Sequence, residues 1–126
     1  MKDEVADYLT KFLVSLIMSP SFGVSLPDIN SPVSITRRKE IATQLAEVGL
    51  ITYVGKTKGR RWVMDVKLRD MVSQFVSVKP DVLVELANQA ELRHPGKSVQ
   101  IRGASDRVRE MAGGNTQTEP LLAGAT

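Results

Sequence analysis

The sequence predicts a mainly α-helical fold with a small β-hairpin and additional C-terminal helices. Apolar residues recur at three- and four-residue spacing over residues 4–18, within 34–48 and within 68–76, as on one face of a helix. Two short runs rich in β-branched and aromatic residues, 50–54 and 61–66, flank a loop rich in Gly and Lys, as in a hairpin. At 126 residues the chain is long enough to bury one core without cross-links.

The first helix is predicted over residues 4–18. Acidic residues at its start favour the positive end of the helix dipole. Pro20 disfavours helix in the residue before it and Gly23 marks a turn, so the helix is expected to end there. Its apolar face is formed by Val5, Leu9, Phe12, Leu13, Leu16 and Ile17.

The second long helix is predicted over residues 34–48. The preceding segment, 24–33, contains two prolines and permits no more than a turn or two of helix. Ser34, or Ser31 with a proline at the first helical position, caps the long helix, and Gly49 stops it. Its buried stripe is formed by Ile41, Leu45 and Val48.

The hairpin is predicted from strands 50–54 and 61–66, joined by a loop at 55–60. One face of the second strand is apolar and is expected to pack on the core, because it carries Trp62, Met64 and Val66. Trp62 is therefore predicted to be a core residue rather than a base-stacking one.

Two further helices are predicted, over residues 68–76 and from Pro80 to about His94. Residues 97–126 lack a periodic core and are predicted to be weakly structured to disordered, apart from a short helix over 105–111. The chain is accordingly divided into residues 1–78 as the main domain, 79–96 as a C-terminal helix suited to dimerisation, and 97–126 as a tail.

Positive charge is concentrated in one third of the chain. Between Thr36 and Arg69 there are nine basic and three acidic residues, a net +6 in a chain whose total is +3. Such clustering is typical of a surface that binds a polyanion, although a solvated helix face can also show it. The nine basic residues are Arg37, Arg38, Lys39, Lys56, Lys58, Arg60, Arg61, Lys67 and Arg69.

The segment 35–51, followed by Gly59–Val63, resembles the recognition helix and wing of winged helix-turn-helix regulators of the ArsR and MarR type. The resemblance rests on Leu45 to Ile51, where the helix ends in Leu-x-x-x-Gly-Leu-Ile, and on the aromatic return strand at Trp62. It implies that residues 1–78 form a winged helix-turn-helix domain. The metal-sensing cysteines of part of the ArsR group are absent, which excludes a metal switch of that kind.

The resemblance also implies a set of DNA-binding residues. The exposed face of helix 34–48 would enter the major groove, and the wing at 55–60 would contact the backbone or the minor groove. Lys56 and Lys58 have an alternative role, as charges that keep an exposed hairpin from aggregating. The implied contacts are Thr36, Arg37, Arg38, Lys39, Thr43 and Gln44 on the helix, with Glu40 beside them, and Lys56, Lys58, Arg60 and Arg61 on the hairpin.

The composition excludes several classes of site. Without cysteine there is no disulfide, zinc-thiolate site or thiol nucleophile, and the single His94 cannot hold a metal alone. The spacing Gly55-x-x-x-Gly59 lacks the Gly-Lys-Ser/Thr ending of a phosphate-binding loop. No enzyme activity, cofactor or metal is therefore expected.

The chain is expected to be a cytoplasmic protein without membrane attachment. Acidic residues stand at the N-terminus where a secretory signal has a basic and then an apolar run. The most apolar stretch, residues 12–18, is too short to span a bilayer.

Two functional hypotheses remain. The first is a homodimeric protein that binds double-stranded DNA, as a small transcriptional regulator or a mobile-element accessory factor, with residues 68–76 and 80–92 at the dimer interface. The second is a winged-helix module that binds an acidic protein partner in a larger assembly. RNA binding has less support, because the chain lacks the aromatic strand motifs of single-strand readers.

Overall fold

The fold was analysed in a computed structural model, which describes the backbone of residues 2–19, 22–55 and 60–125 and the side chains of residues 3–19, 22–55 and 60–111. Its elements confirm the predicted class, mainly α with a small β-hairpin. In chain order they are α1 (Lys2–Met18), a 3-10 turn (Leu26–Asp28), α2 (Ile35–Glu47), β1 (Ile51–Val54), β2 (Arg61–Met64), α3 (Val66–Phe75), α4 (Pro80–Arg93), a 3-10 turn (Pro95–Lys97) and α5 (Ser98–Ala125).

Helix α2 begins at its predicted cap. The Ser34 side chain accepts a hydrogen bond of 3.2 Å from the backbone N–H of Arg37, which settles the choice between Ser34 and Ser31. Ile41 and Ala42 lie on the buried face of the helix. The predicted buried stripe is wrong at Val48, which is exposed and lies just after the last helical turn.

The strands pair antiparallel, with Ile51 opposite Met64 and Tyr53 opposite Trp62. The second strand is shorter than predicted because Asp65 caps α3, its carboxylate accepting a 2.9 Å hydrogen bond from the N–H of Lys67. Val66 therefore begins a helix and is exposed, whereas the sequence placed it on the apolar face of the strand.

Val24 forms a single antiparallel bridge with Trp62 of β2, on the edge of β2 that is not paired with β1. Its N–H donates to the carbonyl of Trp62 at 2.9 Å, and the N–H of Trp62 donates back at 2.8 Å. The chain reaches this position through Gly23, whose φ of +74° is costly for any residue with a side chain. The pairing fixes the segment between α1 and α2 against the hairpin.

Replacing Gly23 by alanine is expected to lower the free energy of unfolding by about 2–3 kcal/mol, combining backbone strain with a steric clash. A Cβ at this position would lie 2.9 Å from the carbonyl oxygen of Trp62. Gly49→Ala is the matched control, because Gly49 has a φ of +83° but nothing within 4 Å of the new Cβ. Urea unfolding should show a loss of only about 1 kcal/mol for the control, and equal losses would contradict the clash.

The core is organised around α1. Tyr8, Phe12, Leu16 and Ile17 are essentially inaccessible to solvent, and α1 contacts α3, α4 and α5. From α4, the residues Leu83, Leu86, Ala87 and Ala90 are buried in the same cluster. The C-terminal helices therefore share one hydrophobic core with α1.

One helix, α5, runs from Ser98 to Ala125, so the short helix predicted over 105–111 is part of a longer element, and the prediction of weakly structured to disordered residues is wrong over the rest of that helix. Its buried stripe follows helical spacing at Ile101, Ala104, Ser105 and Val108, but two of these side chains are small, so the apolar signal in the sequence is weak.

A two-pronged ion pair between Arg107 and Asp70 joins α5 to α3, and the hydrogen bond from Arg107 lowers the pKa of Asp70.

Candidate nucleic-acid interface

The outward face of α2 presents six of the residues singled out in the sequence. Since Ile41 and Ala42 hold the opposite face against the core, the helix is fixed with these side chains toward solvent. The exposed residues are Thr36, Arg37, Lys39, Glu40, Thr43 and Gln44.

An open groove of about 720 Å³ separates α2 from the hairpin, and we call it the α2–hairpin groove. It brings Lys39 and Thr43 of α2 together with Arg60, which precedes β2. The residues lining it are Ser25, Leu26, Pro27, Ile35, Lys39, Thr43, Ala46, Glu47, Tyr53, Arg60 and Trp62.

A stack of three side chains forms the hairpin side of the groove. The rings of Tyr53 and Trp62 lie 4.6 Å apart and within 16° of parallel, and the Arg60 guanidinium lies 4.5 Å from the centre of the Tyr53 ring. The hydroxyl of Ser25 donates to the carbonyl of Arg60 at 3.2 Å. Trp62 is only 8 % exposed, as predicted for a core residue.

Arg38 is not a DNA contact, and its assignment from the sequence is wrong. The side chain is 5 % exposed and its guanidinium is enclosed by the loop before α2. It donates four hydrogen bonds, to the carbonyls of Val33 (3.0 Å), Leu26 (2.6 Å), Ile29 (2.8 Å) and Ser31 (2.7 Å). It also lies 5.0 Å from the centre of the Tyr8 ring, so its charge is used inside the fold.

The other predicted cations do not all lie on the α2–hairpin groove. Arg61 is exposed, but strand alternation places it on the face opposite Trp62, beside Gly23 and close enough to His94 to affect its titration. Arg37 is exposed and forms a 3.3 Å ion pair with Glu40. Lys56 and Lys58 lie outside the described residues. Of the predicted cations whose positions the structure describes, only Lys39 and Arg60 lie together in one groove.

Sequence reasoning missed the apolar part of this site. Tyr53, Ile35 and Ala46 line the groove, together with the turn at Leu26 and Pro27. One signal was available for Tyr53, because in a hairpin a residue opposite Trp62 shares a face with it. No comparable signal existed for Leu26 or Pro27, because the contacts that hold this turn, the Val24 pairing and the hydrogen bond from Arg38 to the Leu26 carbonyl, are not local.

His94 packs between the end of α4 and the loop after α1. Its ring lies 4.5 Å from that of Phe22. Burial lowers the pKa of His94 below its usual range, and the guanidinium groups of Arg93 and Arg61 lower it further. The folded protein therefore favours the neutral imidazole.

This shift predicts a loss of stability at mildly acidic pH. In the unfolded chain the histidine has its ordinary pKa of about 6.5, so the unfolded state takes up the proton first as the pH falls through that value. The free energy of unfolding should decrease as the pH falls below about 6.5, and urea unfolding at several pH values measures it. His94→Gln should remove this component, and an unchanged pH dependence in the variant would contradict it.

Two kinds of feature are absent from the described residues. In the described residues no group of three or more His, Asp or Glu side chains is arranged to hold a metal ion. No helix in that part of the chain is both long and apolar enough to cross a membrane.

Comparison with known protein families, curated proteins and solved structures finds no match to this chain.

Proposed function

We propose that the protein binds double-stranded DNA, with α2 in the major groove and the hairpin on the neighbouring backbone. The observation that carries the proposal is the α2–hairpin groove, which is lined by Lys39 and Thr43 from the helix and by Arg60 from the hairpin. In the described part of the chain neither Lys39 nor Arg60 forms an ion pair with an acid. Both charges remain available for phosphate.

The order of elements also supports the proposal. A helix, a short turn, a second helix and an antiparallel hairpin follow one another, with Val24 pairing on the return strand. This order is that of the winged helix-turn-helix domains the sequence resembles. The helix before α2 is reduced here to the turn Leu26–Asp28, whose carbonyl at Leu26 is held by Arg38.

The proposed role is that of a small transcriptional regulator or a mobile-element accessory factor in the cytoplasm. A homodimer would double the phosphate contacts and place two α2 helices on successive turns of DNA. Exposed apolar side chains on α3 and α4 are suited to the dimer contact, namely Met71, Phe75 and Val84.

Fluorescence anisotropy with a labelled random-sequence duplex tests the proposal. Because each neutralised phosphate releases counterion, the two phosphate contacts of Lys39 and Arg60 would weaken binding by about 12-fold between 50 mM and 200 mM salt. Absence of binding at 50 mM salt would overturn the proposal.

A protein-interaction module is the second candidate, and the exposed apolar side chains favour it. Phe75, Leu92 and Val99 are each more than 80 % exposed, so a partner that covered them would remove apolar surface from water. In such a module the basic face would contact an acidic partner. The same anisotropy titration separates the two candidates, because only the first requires salt-dependent binding to duplex DNA.

A further inference from the structure

A second group of cations lies outside the α2–hairpin groove, around the contact between Phe22 and His94. The two rings lie 4.5 Å apart, and the ammonium of Lys97 lies 5.9 Å from the centre of the Phe22 ring. Arg61 reaches the same place from β2, because a Cβ on Gly23 would lie 3.0 Å from the Cβ of Arg61. This group is called the Phe22–His94 cluster and comprises Phe22, Arg61, Arg93, His94 and Lys97.

Arg93, at the end of α4, has unmet hydrogen-bonding capacity. Its Nε lies 3.4 Å from Oδ2 of Asp28, but that oxygen already accepts a 2.9 Å hydrogen bond from the backbone N–H of Ser25. Within the described residues no group accepts a hydrogen bond from Nε or Nη2 of Arg93, and both atoms are buried. Because buried donors without an acceptor are costly, this guanidinium favours a further anion beside it.

The positive charge of the cluster exceeds the negative charge around it. Among the described residues Asp28 is the one acid that pairs with any of its cations, and it pairs with Arg93. Arg61 and Lys97 form no ion pair in that part of the chain. Helix α5 begins directly after Lys97 without an acid in its first turn, so the positive end of its dipole adds to the cations.

We propose that the Phe22–His94 cluster binds a small phosphate dianion. Arg61 and Lys97 donate charge-assisted hydrogen bonds to its oxygens, and the Arg93 guanidinium adds a third positive charge. The phosphate comes from solution and not from the DNA proposed above, because strand alternation places Arg61 on the face of β2 opposite Trp62 and the groove. This inference does not depend on DNA binding, so the two proposals fail separately.

The test is a titration with inorganic phosphate at constant ionic strength and about pH 7.5, where phosphate is mainly a dianion. His94 is the single histidine of the chain, so its ring gives one assignable signal in ¹H–¹³C NMR. The expected result is a saturable shift of that signal with a dissociation constant of about 1 mM, ordinary for a small ion held by a few charge-assisted hydrogen bonds. Phosphate should also raise the pKa of His94 relative to sodium chloride, because a neighbouring anion favours the imidazolium.

Two variants remove the proposed donors one at a time. Arg61→Met and Lys97→Met should each weaken phosphate by about tenfold, because each removes one charge-assisted hydrogen bond. Both side chains are exposed, so neither variant is expected to unfold the protein. Lys79→Met is the matched control, because it removes an exposed cation at the opposite end of α4. It should bind phosphate as the wild type does.

A second titration, with a short DNA duplex at the same phosphate concentration, identifies the source of the ligand. The duplex should leave the His94 signal unchanged. A shift caused by the duplex would assign this surface to DNA and overturn the proposal. It would also be overturned by a shift that does not saturate by about 10 mM phosphate, tenfold above the expected constant, or by equal affinity in Arg61→Met and Lys79→Met.

Discussion

Replacement of Arg38 by methionine should lower the free energy of unfolding by about 3–5 kcal/mol, the largest loss expected for any single α2 residue. Four carbonyls between Leu26 and Val33 accept hydrogen bonds from this one guanidinium. Without it these carbonyls lose their donor, and the hydrogen bonds to Val33 and Ile29 are buried. Urea unfolding followed by circular dichroism measures the loss.

Two variants separate geometry from charge. Arg37→Met removes a neighbouring cation that is exposed and, among the described residues, is paired only with Glu40, so the change should cost less than about 0.5 kcal/mol. Arg38→Lys keeps the charge but replaces the planar fork with a single ammonium, so it should lie between the wild type and the methionine variant. Similar stability of Arg37→Met and Arg38→Met would contradict the account.

The double variant Lys39→Ala/Arg60→Ala should weaken duplex binding by about 100-fold at low salt and reduce the slope of log K against log salt by about 1.8. The two side chains lie on one groove and have no acidic partner among the described residues. Fluorescence anisotropy over a salt series measures both quantities.

The matched control removes the same charge elsewhere. Lys79→Ala/Arg102→Ala takes two cations from α5 and the start of α4, and Arg102 is already paired with Glu91 at 3.4 Å. This control should leave the affinity within about threefold of wild type. If the two double variants weaken binding equally, the effect reflects net charge and not a DNA-binding face.

The local elements of the fold could be predicted because their signals are local. Ser34 caps α2 through the backbone three residues away, and the turn residues around the hairpin lie next to the strands they join. The face of Trp62 follows from strand alternation alone. None of these needs information about distant parts of the chain.

The errors arise where the decisive contact is distant or the periodic signal is weak. Arg38 shares the helical spacing of Ile41, Ala42 and Leu45, so its position already faced the core. It was grouped with its basic neighbours because nothing local in the sequence reveals the four carbonyl acceptors in the preceding loop. Helix α5 was predicted only over residues 105–111, because its buried stripe is short and partly made of small residues.

The candidate site could be predicted in part. The resemblance to winged helix-turn-helix regulators implied the exposed cations of α2 and Arg60, and it wrongly included the buried Arg38. The groove between them depends on how far α2 stands from β2, which is set by packing and by the pairing of Val24. A sequence pattern does not contain that separation.

We propose that DNA contacts the face made by α2 and the hairpin, and mapping by NMR tests this contact most directly. A duplex titrated into ¹⁵N-labelled protein at 50 mM salt should shift amide signals of residues 34–47 and those next to Arg60, while α4 and the 98–111 part of α5 stay unchanged. Shifts centred on α4 and α5, with α2 unaffected, would contradict the account.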